Sequence, residues 1–113
     1  MPECIFCKII KREIPSTLVY EDEAYVAFED IHPKAPVHVL VVPKVHIESV
    51  NSLTDKEQGL AGGLMLAAKR VAEKLRIAKA FQLKVYVGAG AGQNVFHIHM
   101  HVLGGWTNPP NLE

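Results

Sequence analysis

A chain of 113 residues, 49% of them apolar, is long enough to bury about two-thirds of its unfolded surface in one core and too apolar to stay disordered. No apolar run approaches the ~20 residues of a membrane span, so one soluble domain over residues 1–113 is expected. Twelve Lys+Arg balance twelve Asp+Glu, which removes the basic surplus that drives nucleic-acid binding and argues equally against a membrane-surface role. At the N-terminus Glu3 comes early, with neither a continuous apolar stretch of signal length nor a small-residue cleavage site, so a cytoplasmic location is expected. Both cysteines lie in Cys4-x-x-Cys7, a pair that in such a compartment suggests metal or redox chemistry before a disulfide. The other oddity is histidine, six of 113.

From Cys4 to Lys11, the apolar Ile5, Phe6, Ile9 and Ile10 fall at helical spacing and stop before Pro15, which predicts a short helix. Leu18 and Tyr20 then alternate with Thr17 and Val19, and after the acidic Glu21-Asp22-Glu23 the run Tyr25 to Phe28 reads as a second strand of a hairpin, with no glycine at its turn. Asp30 to Pro36 is a loop, because Pro33 and Pro36 remove donors and bias their predecessors away from helix. Val37 to Val42 is a β-branched strand carrying His38 and ended by Pro43.

Thr54-Asp55-Lys56-Glu57 is a capping-box signature. Behind it Leu60, Leu64, Ala67, Ala68, Val71 and Leu75 predict the one long helix. Gly59, Gly62 and Gly63 cost that helix about 1 kcal/mol each relative to Ala, so close packing is expected there. Phe81, Leu83, Val85 and Val87 alternate with Gln82, Lys84 and Tyr86 as a fourth strand. The glycine-rich Gly88 to Gly92 leads into a fifth, Val95 to Leu103, ended by Gly104-Gly105 and a proline-rich tail over 106–113. Five short strands and two helices without strict βαβ alternation imply an α+β fold: a mainly antiparallel five-stranded sheet with one long and one short helix on one side of it.

The pattern with most chemistry is Phe96-His97-Ile98-His99-Met100-His101-Val102-Leu103. On a strand His97, His99 and His101 leave one face and Ile98, Met100 and Val102 the other. Cα atoms two apart are ~6.6 Å from one another and the row spans ~13 Å, so one ion with ligand bonds near ~2 Å can take two neighbours but hardly three. The row therefore divides its labour. Histidine titrates near neutrality and can attack phosphorus, and the glycine-rich loop before it offers backbone N–H groups to an anionic phosphate. His32, in a loop beside Pro33, is expected to be exposed and without a role.

These residues, Gly92 to Leu103 together with Cys4 to Ile10, Phe28-Glu29-Asp30-Ile31 and Pro36 to Lys44, resemble the histidine triad (HIT) superfamily, in particular its Hint branch of purine nucleoside phosphoramidases. The resemblance implies a homodimer that binds a purine nucleotide or nucleoside phosphoramidate. It makes His99 the nucleophile at the α-phosphorus, with a nucleotidyl-histidine intermediate that water releases. It places His101 on the phosphate and His38 beside it, Asp30 on the ribose hydroxyls, Phe6, Ile9, Phe28 and Ile31 around the base, and Gly92, Gln93, Asn94 and Val95 along the nucleotide. The chain departs from the family pattern at Tyr86, where Hint members usually carry Asn, and at Asn94, often Ser or Thr. With Cys4 and Cys7, His46 and His97 complete a Cys₂His₂ set of the structural kind, and the resemblance supports zinc there. Three other readings stand beside the phosphoramidase: a dinucleoside polyphosphate hydrolase, a nucleotide-binding interaction protein with negligible catalysis, and a histidine row that is itself a catalytic metal centre.

Overall fold

The computed structural model of the protein describes residues 4–110; the readings placed on Glu3 and on positions 111–113 of the tail lie outside them. In chain order the elements are α1 (Ile5–Ile10), β1 (Leu18–Glu21), β2 (Tyr25–Glu29), β3 (Val37–Pro43), α2 (Gln58–Lys74), β4 (Phe81–Lys84) and β5 (Met100–Gly104). The strands form one sheet in the order β1-β2-β3-β5-β4, and every neighbouring pair is antiparallel.

The sheet is covered on both faces, which differs from the expectation of helices on one side. Ala27, Val39, Val41, Met100 and Val102 pack under α2 with Leu64, Ala67, Ala68 and Val71. On the other face Val26, Phe28, Leu40 and Val42 pack with Phe6 and Ile9 of α1. The reason is legible in β3, whose residues from His38 to Pro43 are all buried: a strand apolar on both faces needs a cover on each. At six residues α1 is too short to hold itself, so Phe6 and Ile9, worth about 1.5–3 kcal/mol each when buried, and the Cys4 cap anchor it.

Both helices end without glycine. Arg12 and Arg76 take the left-handed conformation in its place, with φ 65° and 64°. The β1–β2 turn also lacks glycine. There the Asp22 carboxylate accepts the N–H groups of Ala24 and Tyr25, both at 2.8 Å, and the Tyr20 hydroxyl at 2.6 Å. The Thr54–Glu57 capping box forms as expected, over a 3₁₀ turn that leads into α2. Of the α2 glycines, Gly63 is the one required inside the chain: a Cβ there would lie 2.1 Å from the Tyr25 hydroxyl, which donates to Leu60 O at 2.7 Å. Gly59 and Gly62 have nothing within 4 Å.

Candidate active site and metal centre

The segment carrying the histidines is a strand only from Met100 onward, not from Val95. The ladder between β3 and β5 ends at Val41↔Met100, because β3 itself ends at Pro43, which has no N–H to continue it. Residues 95–99 bend away, and Ile98 N–H donates instead to Ile47 O at 2.6 Å. The alternation nevertheless survives the bend. Ile98, Met100 and Val102 enter the core under α2, and the three histidines lie on the other side. β4 likewise ends at Lys84 rather than Val87.

Hydrogen bonds assign the imidazole protons. Lys34 N–H donates to His38 Nδ1 at 2.9 Å, so the His38 proton sits on Nε2 and points to His101 Nδ1, 2.9 Å away. That leaves the His101 proton on Nε2, which is buried and has no partner. His99 is set the opposite way: Nδ1–H donates to the His97 carbonyl at 2.7 Å, leaving a lone pair on Nε2. Its ring, 3% exposed, stands edge-on to Phe6 with centroids 5.0 Å apart, and lies 5.1 Å from the His101 ring. Burial pushes the pKa of all three imidazoles down, that of His101 to about 4 with help from the neighbouring His99 and His38, so each is neutral at pH 7. Asp30 completes the group, its Oδ2 3.4 Å from His38 Nε2 and its Oδ1 accepting His32 N–H at 2.8 Å. Asp30, His38 and His101 are close enough to suggest a cation site. Both His38 nitrogens, however, are spent within the chain, so the cluster reads as a hydrogen-bonded relay.

His97 is separated from this relay. Its ring is fully buried, and Nε2–H donates to Pro43 O at 2.8 Å, which turns the Nδ1 lone pair toward the cysteines. Nδ1 lies 3.4 Å from Cys4 Sγ, 3.6 Å from Cys7 Sγ and 3.2 Å from His46 Nδ1, and His46 Nδ1 lies 3.4 Å from Cys7 Sγ. A tetrahedral zinc with its usual N and S bond lengths has ligand–ligand edges of about 3.3–3.8 Å, so the donor set fits that ion in both chemistry and size. By accepting the Nε2–H, the carbonyl of Pro43 fixes the His97 tautomer that a metal on Nδ1 would need.

Two clefts meet at His101. One, of about 300 Å³, is walled by Phe6, Ile9, Phe28 and Leu40, with His99 and His101 in its lining and Ile31, 84% exposed, at its rim. The other, of about 320 Å³, is lined by Lys34, Lys84, Tyr86 and Gly92 as well as His38 and His101. Asn94 borders both. The glycine-rich loop differs from its expected use. The N–H groups of Ala91, Gly92 and Gln93 close a turn onto Gly88 O and Ala89 O, and the buried Gln93 side chain bonds Gly88 N–H, Glu48 O and Val95 O.

A family model described as the HIT domain matches residues 11–108, nearly the whole of this architecture. The chain belongs to the HIT family. A purine nucleoside phosphoramidase of Escherichia coli is 43% identical over 111 residues, 97% of this chain and 93% of that one. An uncharacterized HIT-like protein of Synechocystis is 48% identical over 91% of this chain and 90% of its own. A HIT family hydrolase from Clostridium thermocellum superimposes with a TM-score of 0.92 at 47% identity, covering 100% of this chain and 99% of that one.

In this HIT domain the structure brings His38, His99, His101 and Asp30 to one place, Cys4, Cys7, His46 and His97 to a second, and Phe6, Ile9, Phe28 and Ile31 to the wall between solvent and His99. Sequence reasoning missed Lys34, Lys84 and His32, all of which line the second cleft. For Lys84 the signal was present. It shares parity with Gln82 and Tyr86 in an alternating strand, and β4 pairs it directly with His101. Lys34 and His32 sit in the proline-bounded loop, where no periodicity reports direction.

Proposed function

We propose that this HIT protein is a hydrolase of phosphoramidate bonds at the α-phosphate of purine nucleoside monophosphates. The observation that carries the reading is the pair of opposed tautomers: an Nε2 lone pair on the largely buried His99 beside a buried, unpartnered Nε2–H on His101, at the edge of an apolar cleft. In the reaction His99 Nε2 attacks phosphorus while His101 Nε2–H donates a hydrogen bond to a phosphoryl oxygen, and the P–N bond breaks with its electrons going to the amine nitrogen, which takes a proton from solvent and leaves as the amine. Water then attacks phosphorus, the P–Nε2 bond breaks with its electrons returning to His99, and the water's proton goes to solvent, while His38 Nε2–H holds His101 Nδ1 throughout. The base lies between Phe6, Ile9, Phe28 and Ile31, the Asp30 carboxylate holds the ribose, and the Asn94 and Val95 amides meet the phosphate. The E. coli phosphoramidase among the relatives supports this substrate class. His99→Ala should lower kcat for an adenosine phosphoramidate by about 10⁴-fold or more while the circular dichroism spectrum and nucleotide binding persist. Full activity in that variant, or failure to trap a nucleotidyl-His99 adduct in the parent, would sink the mechanism.

The same reading includes a structural zinc on Cys4, Cys7, His46 and His97, which would tie α1 to the loop after β3 and to the turn before β5 without entering the chemistry. Keeping those thiols reduced suits the cytoplasm. Among the described residues no helix is long and apolar enough to cross a membrane. The protein is further proposed to be a homodimer through α2 and the exposed edge of β4. Met65 and Leu66 are 51% and 52% exposed and border a groove with Phe81 and Leu83. An unpaired edge strand beside bare leucine and methionine is a surface that a second copy can cover. Gly59, Gly62, Leu66, Lys69 and Glu73 follow at spacings of three and four on one helix face, and the open space over both glycines would allow a second helix to approach.

A further inference from the structure

Lys34, Lys84 and Tyr86, which line the second cleft, have no part in the scheme above. The second cleft shares His101, Asp30, His32 and Asn94 with the apolar cleft but lacks His99, which lines only the apolar side. An in-line displacement places the leaving atom across phosphorus from the attacking nitrogen. With the nucleoside in the apolar cleft beside His99, the group that departs must emerge past His101 into the second cleft.

Its chemistry is unlike that of the first. Among the described residues neither Lys34 nor Lys84 has a carboxylate partner; the ion pairs present involve Arg12, His38, Lys44 and Lys69. The one acid in the lining, Asp30, is engaged by His32 N–H and His38. Lys84 is held in register directly across from His101, so its position relative to the reacting centre is set by the sheet and not by a loop. Tyr86 stands against His101 with ring centroids 5.0 Å apart, and Gly92 is in the left-handed region at φ 102°, where a Cβ would lie 4.0 Å from the Tyr86 Cγ. Two unneutralised ammonium groups, a phenol and a buried N–H donor converge where a small substituent of the leaving group would sit.

We propose that this cleft is a leaving-group subsite selective for leaving groups that carry an anionic oxygen, a carboxylate or a phosphate, a few bonds from the scissile P–N linkage. The inference rests on the reading of His99 as nucleophile, and deepens it by naming the substrate class.

The test compares kcat/KM for three adenosine 5′-phosphoramidates, whose amines are propylamine, β-alanine and 2-aminoethyl phosphate. Turnover of at least one charged substrate should exceed that of the propylamide at least tenfold, and the arm with the larger gain names the anion. The Lys34→Gln/Lys84→Gln double variant, at two exposed positions that do not disturb folding, should reduce that preference at least fivefold. So should raising the salt from 0.05 to 0.5 M. A propylamide hydrolysed as fast as both charged substrates overturns the subsite and leaves the proposed hydrolase standing. A preference unchanged in the double variant overturns its assignment to these lysines. Failure of the parent to hydrolyse any of the three overturns the proposed function itself, and the subsite with it.

Discussion

His99 and His101 differ in where the proton sits, and backbone groups decide the difference. The His97 carbonyl holds the proton on Nδ1 of His99, whereas Lys34 N–H, acting through His38, places it on Nε2 of His101. The residue types and their spacing were legible in the sequence, but the tautomers were not, because the deciding partners are main-chain atoms present at every position. Gln93 makes the same point. Its place beside the glycine-rich loop suggested nucleotide contact, yet its side chain is buried and bonded to three backbone groups, so it pins the loop from within. Gln93→Ala should therefore lower stability by about 1–3 kcal/mol through the groups it leaves unpaired. A urea denaturation midpoint equal to that of the parent would refute that role.

At the level of elements, the periodicities located all five strands and both helices, and the errors fall at the ends. β5 was expected from Val95 and begins at Met100. Alternation continues through residues 95–99, but a strand also needs a partner, and Pro43 withdraws it. The placement of the helices on opposite faces was implicit in β3, whose Val39 to Val42 are apolar on both faces. The exposed face of α2 carries an element-scale prediction. Leu66→Asp, at a half-exposed site that a lone chain does not need for its core, should convert the proposed dimer to monomer in sedimentation equilibrium with little change in secondary structure. A parent protein that is already monomeric at micromolar concentration would remove the interface.

Across the whole molecule, burial of neutral imidazoles couples stability to pH. His38, His99 and His101 have lowered pKa values in the folded chain and an ordinary one near 6.5 when unfolded. Below pH 6.5 the unfolded chain takes up protons that the folded chain refuses until about pH 4 at His101. These groups therefore leave stability unchanged above neutrality and erode it as pH falls from 6.5 toward 4. Urea midpoints at pH 8.0, 6.0 and 4.5 check the sign, and a midpoint that rises on acidification would contradict it. The Cys₂His₂ cluster joins three distant segments, so stripping the proposed zinc with a chelator should lower the melting temperature by several degrees and release α1 from the sheet. Lost turnover at an unchanged melting temperature would instead point to a catalytic metal.

By itself the sequence determined which residue types are present and which side of the chain they face. A period of two sends histidine one way and core the other whether or not the strand is completed, and Cys4-x-x-Cys7 holds half a metal set on one turn of helix. The tertiary structure alone decided the rest. Where β5 starts, which nitrogen of each imidazole is free, and that Lys34 and Lys84 converge on His101 all depend on contacts between segments distant in the chain. Local spacing constrains direction, but only the closed sheet sets distance.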